Sequence, residues 1–246
     1  MTFAEIFSPA SALFLDFDGT MVDIAPQPQA VHVPEPLIAV LRDLQDQLGG
    51  AVAVISGRPI EQLDAFLEPL RLPLAGVHGA ERRNAQGELV LQDTHPLHRV
   101  ERAANALAKR HPNLLVESKR GSLALHYRQA PELEEESIRV MQEAVDHSPG
   151  LTLLRGKMVV EAKPGGASKG RAIEDFLREP PFVGRTPVFI GDDVTDEPGF
   201  STVQRLGGVG IKVGDGATAA ARRLPDPAAL RRELEAAVAA GTTRTT

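Results

Sequence analysis

One apolar run that stops abruptly on two acids constrains this chain most. Ala12-Leu13-Phe14-Leu15 is followed by Asp16-Phe17-Asp18-Gly19-Thr20. A short, continuously apolar stretch reads as a parallel strand buried on both faces. In open α/β sheets ligands bind in the crevice at the carboxyl ends of the strands, so both aspartates fall at the reactive edge. Asp16, at the last strand position, is able to hold a hard cation with one oxygen and attack with the other, because carboxylates serve as nucleophiles and become aspartyl-phosphates. Asp18, past the strand where the chain turns at Gly19, is placed to protonate a leaving oxygen and later to deprotonate water. A strand followed by a plain Asp-Gly turn accounts for the same residues without chemistry.

The pattern of a buried strand ending in polar residues recurs. Leu37, Leu41, Leu44 and Leu48 mark an amphipathic helix over residues 35–48, closed by Gly49-Gly50. The strand Ala51 to Ile55 then ends in Ser56-Gly57-Arg58-Pro59. If it neighbours the first strand, the Ser56 hydroxyl, the N–H groups around Gly57, and Arg58 face the space above Asp16, and all are phosphate ligands by type. The alternative is that Ser56 merely caps the helix Pro59 to Leu67. Ser168 is a helix cap and Lys169 stands in the first turn, where a lysine opposes the macrodipole unless an anion is present. Taken alone, Lys169 reads first as solvent-exposed. Val188-Phe189-Ile190 is a further buried strand, and four acids fall within the six residues Asp192 to Glu197 that follow it. Acids so crowded repel one another unless a cation or basic groups offset them, so a solvated loop with Thr195 or Asp196 capping the next helix competes less well than a cation site.

Between these segments the texture changes. Residues 81–163 alternate polar and apolar positions in several short strands, with helices over Leu97–Lys109 and Glu132–Val145. Such a pattern suggests an antiparallel sheet with helices on one face. The expected architecture is an α/β Rossmann-like core, residues 1–80 and 164–246, interrupted by an inserted α+β domain over residues 81–163. Gly241 to Thr246 reads as a frayed tail.

Composition narrows the function. The 246 residues carry a formal charge of -6, so nothing favours nucleic acid or an anionic membrane, and no apolar run is long enough to span a bilayer. The absence of cysteine excludes disulfides and thiol nucleophiles and suits a cytoplasmic protein. One tyrosine and no tryptophan leave little aromatic surface for stacking sugars or bases, so sugar recognition should rest on hydrogen bonds. The glycines at 207–214 form no dinucleotide fingerprint, and Gly150 to Lys157 has the wrong spacing for a P-loop. His95 and His98, with Pro96 between them and no nearby acid, make a poor metal pair.

Asp16-Phe17-Asp18-Gly19-Thr20, Ser56, Lys169 and the segment Gly191-Asp192-Asp193-Val194-Thr195-Asp196 resemble, in order and spacing, the four signature motifs of the haloacid dehalogenase superfamily in its phosphatase form. The stretches 78–83, 123–131, 160–164 with 168–170, 191–197 and 212–214 look like trehalose-6-phosphate phosphatases. The resemblance implies a C2 type B cap that closes over the site, and a magnesium-dependent phosphatase acting through a covalent aspartyl-phosphate. Asp16 would be the nucleophile and Asp18 the acid and base. Ser56, Gly57, Arg58 and Lys169 would bind phosphate, and Mg²⁺ would be held by Asp16, the backbone carbonyl of Asp18, and Asp192. Asp193 and Asp196 would orient the metal site from behind. In the cap, Glu117, Lys119 and Glu161, with His126 beside them, would grip the disaccharide. The expected partner is a small sugar phosphate, trehalose 6-phosphate made by a separate synthase. Alternatives are another sugar-phosphate phosphatase or mutase with the same cap, acting on sucrose phosphate or mannosylphosphoglycerate, and a non-catalytic trehalose-phosphate-binding partner of a synthase. Intact Asp16 and Asp18 argue against the last.

Overall fold

The computed structural model describes residues 6–91, 96–119 and 121–242. The chain divides into two compact units, one of residues 1–90 with 168–246 and one of residues 91–167.

The first unit opens with β1 (Ser11–Leu15), α1 (Glu35–Gln47), β2 (Val52–Ile55), α2 (Ile60–Leu67), β3 (Leu74–Gly76), β4 (Glu81–Arg83) and β5 (Leu89–Leu91). In the second unit follow α3 (His98–Arg110), β6 (Leu115–Lys119), β7 (Ser122–His126), α4 (Glu134–Asp146), β8 (Leu151–Gly156) and β9 (Val159–Pro164). The first unit resumes with α5 (Lys169–Phe176), β10 (Thr186–Gly191), α6 (Glu197–Arg205), β11 (Val209–Val213), β12 (Arg222–Leu224) and α7 (Pro227–Thr242).

Eight strands form the core sheet in the order β12-β11-β10-β1-β2-β3-β4-β5. β1 pairs in parallel with both β10 and β2, so the chain winds away from β1 in one direction and later returns on its other side. That reversal is a topological switch point, and the carboxyl ends of β1 and β10 flank its crevice. The central strands β1, β2 and β10 are apolar on both sides because each side faces helices. Leu13 and Leu15 join Leu41, Leu63 and Leu230 from α1, α2 and α7. Phe14 turns the other way, onto Ile173 and Phe176 of α5 in the cluster that includes Phe200 of α6.

Two charged strands, β4 and β12, do not stand out in the sequence pattern. Glu81–Arg83, read from the sequence as the start of the insertion, instead extends the core sheet antiparallel to β3. Its charges are answered locally: Arg83 forks onto Asp64 at 2.6 and 2.7 Å and Arg82 onto Glu179 at 2.8 and 2.9 Å, while Glu81 accepts from the Ile60 N–H at 2.6 Å. β9 runs through Pro164, a residue the sequence assigned to the core. α7 takes in Gly241 and Thr242, at the start of the expected frayed tail, and residues 243–246 lie outside the described ones.

The second unit is a four-stranded antiparallel sheet, β6-β7-β9-β8, with α3 and α4 on one face. Leu123, Leu125, Val160 and Ala162 point into that helical face with Val100, Leu107 and Met141. By the two-residue period of a strand, Glu117, Ala124, His126 and Glu161 share the other face.

Candidate active site

The end of β1 and the end of β10 deliver their acids side by side. Leu15 is in register with Ile190, and the Asp16 N–H donates to the Ile190 carbonyl at 2.9 Å. Into this pair reaches Lys169, the first residue of α5, whose helix is capped by the Ser168 hydroxyl. Its Nζ lies 2.7 Å from Asp16 Oδ1 and 2.6 Å from Asp196 Oδ1, and the lysine is 3% exposed. Lys169 is therefore not the solvated lysine of the local reading; two carboxylates remove the penalty of a cation at a helix N-terminus. Burial works against the Lys169 charge, and Asp16 and Asp196 more than reverse it, holding the ammonium well above its ordinary pKa.

Asp196 and Asp193 shape the loop. Asp196 Oδ2 accepts from the N–H groups of both Asp192 and Asp193 at 2.9 Å. Asp193 caps the turn Val194–Asp196 in a reciprocal capping box, and Asp196 stands at the N-cap position of α6, its side chain turned to Lys169 and the loop N–H groups rather than to the helix. Lys212 of β11 donates to the Asp192 backbone carbonyl and ties the loop to the sheet.

Asp192 completes the acidic group. A carboxylate oxygen from each of Asp16, Asp192 and Asp196 lies within 4.8 Å of the others. The Thr20 hydroxyl, 3.0 Å from Asp16 Oδ2 and 3.3 Å from Asp192 Oδ1, bridges the first two, donating to one at a time. Gly19 allows the approach: its φ is +78°, and a side chain there would collide with the Asp192 carboxylate. Burial pushes the Asp192 carboxyl up to about 6, and the neighbouring Asp196 adds to the rise. Burial raises Asp16 as well, against the opposing pull of Lys169. Two buried acids and a half-buried one around one lysine leave an excess of negative charge, and the donors are all hard oxygens, which fits a divalent ion such as Mg²⁺.

Asp18, Ser56, Gly57 and Arg58 lie along the same edge. Arg58 forks onto Asp18, with Nε 2.6 Å from Oδ2 and Nη2 2.7 Å from Oδ1. Ser56 is buried, and its Oγ accepts from the Arg58 N–H at 3.1 Å, shaping the turn. The His78 ring lies against Gly57, where a Cβ would meet it at 2.7 Å and have to displace it.

In the second unit, β6, β7 and β9 set Glu117, Ala124 and Glu161 in one row, the small Ala124 between the two acids. His126 Nε2 is 2.8 Å from Glu117 Oε2. Glu161 is buried and accepts from the Ser122 hydroxyl at 2.6 Å. Lys163, two residues along the same face, donates to the Ala167 carbonyl. Lys119 ends β6 opposite Ser122, and its side chain lies outside the described residues, as does His95.

The profile of the trehalose-phosphatase family matches residues 14–228. The chain belongs to the trehalose-phosphatase family. It is 46% identical over 220 residues to the trehalose-6-phosphate phosphatase of Escherichia coli (strain K12), covering 87% of this chain and 81% of that protein. It is 42% identical over 224 residues to a probable trehalose-phosphate phosphatase of Sinorhizobium fredii, covering 89% and 84%. Among solved structures, the C-terminal domain of Candida albicans trehalose-6-phosphate phosphatase shares the fold, with a TM-score of 0.87, 21% identity, and 96% and 95% of the two chains covered. This trehalose-phosphatase family member is an enzyme, a phosphatase.

Sequence reasoning missed four residues of these groups as individuals. Thr20 was visible only as a motif letter, and Lys212 only as part of a matching stretch. Ser122 and Lys163 sit at alternate strand positions, which ordinarily mean a solvated face, so only their burial distinguishes them.

Proposed function

We propose that this phosphatase hydrolyses trehalose 6-phosphate to trehalose and phosphate by way of an aspartyl-phosphate on Asp16, with Mg²⁺ as cofactor. The observation that carries the reading is the Asp16 carboxylate, buried and held by Lys169 and Thr20 beside Asp192. Aimed in this way, Asp16 attacks phosphorus in line as the bond from phosphorus to the sugar oxygen breaks, and protonated Asp18 gives its proton to that oxygen. Water then attacks the phosphoryl group and passes its proton to Asp18; phosphate leaves, and Asp16 is regenerated. Lys169, the Ser56 hydroxyl and the Gly57 N–H stabilise the phosphoryl oxygens, a preorganised role worth a few kcal/mol per donor.

Asp16, Asp192 and the Asp18 backbone carbonyl would hold Mg²⁺, whose charge, when bound, neutralises phosphoryl oxygens. Asp196, engaged by Lys169 and two N–H groups, orients the site with Asp193. Glu117, Lys119, His126 and Glu161 are proposed to bind the sugar, because carboxylates, an ammonium and an imidazole match an uncharged, hydroxyl-rich ligand. Among the described residues no helix is long and apolar enough to cross a membrane. A cytoplasmic enzyme working after a synthase completes the proposal; a bifunctional trehalose-6-phosphate synthase/phosphatase of Thermoproteus tenax, 35% identical over 232 residues, joins the two activities in one chain.

Phosphate release with Mg²⁺ from trehalose 6-phosphate, sucrose 6-phosphate and glucose 6-phosphate tests this directly. Turnover of the first alone, removed by chelator, is expected. Equal, slow turnover of all three removes the sugar assignment, and turnover of none leaves a binding protein.

A further inference from the structure

The sequence offers Arg58 as a phosphate ligand, yet its guanidinium is committed to Asp18. Both oxygens of Asp18 are taken, at 2.6 and 2.7 Å, in the two-pronged geometry that fixes the plane of a carboxylate as well as its position. The arginine is itself immobilised. Its guanidinium lies over the Phe66 ring at 5.0 Å and the Phe17 ring at 5.7 Å, and Nη1 reaches Gln62 Oε1 at 3.4 Å. Its N–H donates to Ser56 Oγ, and its carbonyl accepts from the Val77 N–H at 3.0 Å. Asp18, by contrast, lies beyond the end of β1 on the turn at Gly19, with a lone bridge to Val22 and a side chain 35% exposed. The turn does not by itself orient that carboxylate.

We propose that Arg58 is a positioning residue that orients Asp18 for proton transfer and does not bind the phosphoryl group. The proposal rests on reading Asp18 as the acid and base. A carboxylate has about four lone-pair sites, and the fork occupies one on each oxygen. One site per oxygen remains for the proton exchanged with the sugar oxygen and then with water. Arg58 keeps its own protons throughout, so the proton balance of the two steps is unchanged. A lysine cannot replace it, since an ammonium has no planar fork.

The test compares a poor and a good leaving group. Departure of a sugar alkoxide needs the acid; departure of p-nitrophenolate does not. For Arg58→Gln and Arg58→Lys, kcat/KM on trehalose 6-phosphate should fall by about a hundredfold, in the range of a lost general acid. The fall on p-nitrophenyl phosphate should be at least tenfold smaller, because kcat/KM there reports phosphoryl transfer without proton delivery. In Asp18→Asn, adding Arg58→Gln should cost less than threefold more on trehalose 6-phosphate, since both act through one group. Equal losses on the two substrates, or multiplicative losses in the double variant, overturn the proposal and return Arg58 to the phosphate. Thermal melts keep the test decisive if the Arg58 variants fold poorly: Asp18→Asn should lower Tm by releasing a largely buried guanidinium, and an unchanged Tm also overturns it. Failure of the wild type on trehalose 6-phosphate would instead count against the underlying reading of the reaction.

Discussion

Lys169 in the core and Lys163 in the inserted unit are both buried, and their surroundings treat them oppositely. Burial pulls each ammonium toward neutrality. For Lys169, two carboxylates at 2.7 and 2.6 Å more than reverse that pull. Lys163 donates to a carbonyl and feels one acid, Glu161, so its pKa stays below the ordinary lysine value. The core group is thus electrostatically assembled by the fold itself, as the proposed chemistry at Asp16 would require. The group in the inserted unit is an acid and a lysine on one strand face, a pair that would suit neutral hydroxyls that accept and donate at once. Substitutions in the core should therefore strike kcat, and those in the cap KM.

The largest expected effect is Asp16→Asn, which should lower kcat by at least about 10⁴-fold, as loss of a nucleophile does. Removing one of three crowded acids should leave Tm in chelator no lower than in the wild type. Steady-state rates and calorimetry check both, and a variant that changes KM alone breaks the comparison.

Metal dependence comes next. Mg²⁺ at a hundred times its Kd should stabilise the wild type by about 2.7 kcal/mol, a rise of several degrees in Tm. Asp192→Asn should show almost no response, because the remaining carboxylates are engaged by Lys169. An undiminished rise in that variant would place the ion elsewhere.

How far these regions could be read in advance follows from the same contrast. β1, β2 and β10 stood out because strands buried on both faces are continuously apolar, and their ends announced Asp16, Ser56 and Asp192. β4 and β12 did not, since Glu81-Arg82-Arg83 and Arg222-Arg223-Leu224 look like loop until partners such as Asp64 and Glu179 are known. The partners of Lys169 lie 153 and 27 residues away, which no local pattern conveys. Arg58 was recognised as a ligand by type, but its acceptor is a carboxylate of the chain itself. In the cap, alternation identified the strands, yet it could not separate a buried acid such as Glu161 from a solvated one.

A cap substitution should give the smaller, complementary signature. Glu161→Gln keeps the shape and the Ser122 contact but loses the charge, so KM for trehalose 6-phosphate should rise about tenfold, the equivalent of one hydrogen bond to a charged group. The kcat should stay within about threefold. Steady-state kinetics separates the two, and a fall in kcat with unchanged KM would place Glu161 in the chemistry rather than in sugar binding.

The finest probe is spectroscopic, because Tyr127 is the one tyrosine in a chain without tryptophan and lies in the cap. Its ring is buried in the cap core and its hydroxyl donates to Glu134 Oε1 at 2.9 Å. Burial, then the bond to Glu134 and that residue's charge, push its pKa up to about 12, against a small opposing effect of Arg155. The fold thus favours neutral tyrosine relative to the unfolded chain, whose tyrosine titrates near 10. That contribution to cap stability is whole below about pH 10 and is lost as pH rises through about 12. Tyrosinate absorbance should therefore stay low until well above pH 10, and Glu134→Gln should move the midpoint downward by removing the charge. Because Asp16, Lys169 and Asp192 lie in the other unit, Asp192→Asn should leave this titration where it is. A midpoint near 10, or one that shifts in Asp192→Asn, would mean that the inserted unit does not hold its interior independently of the core site.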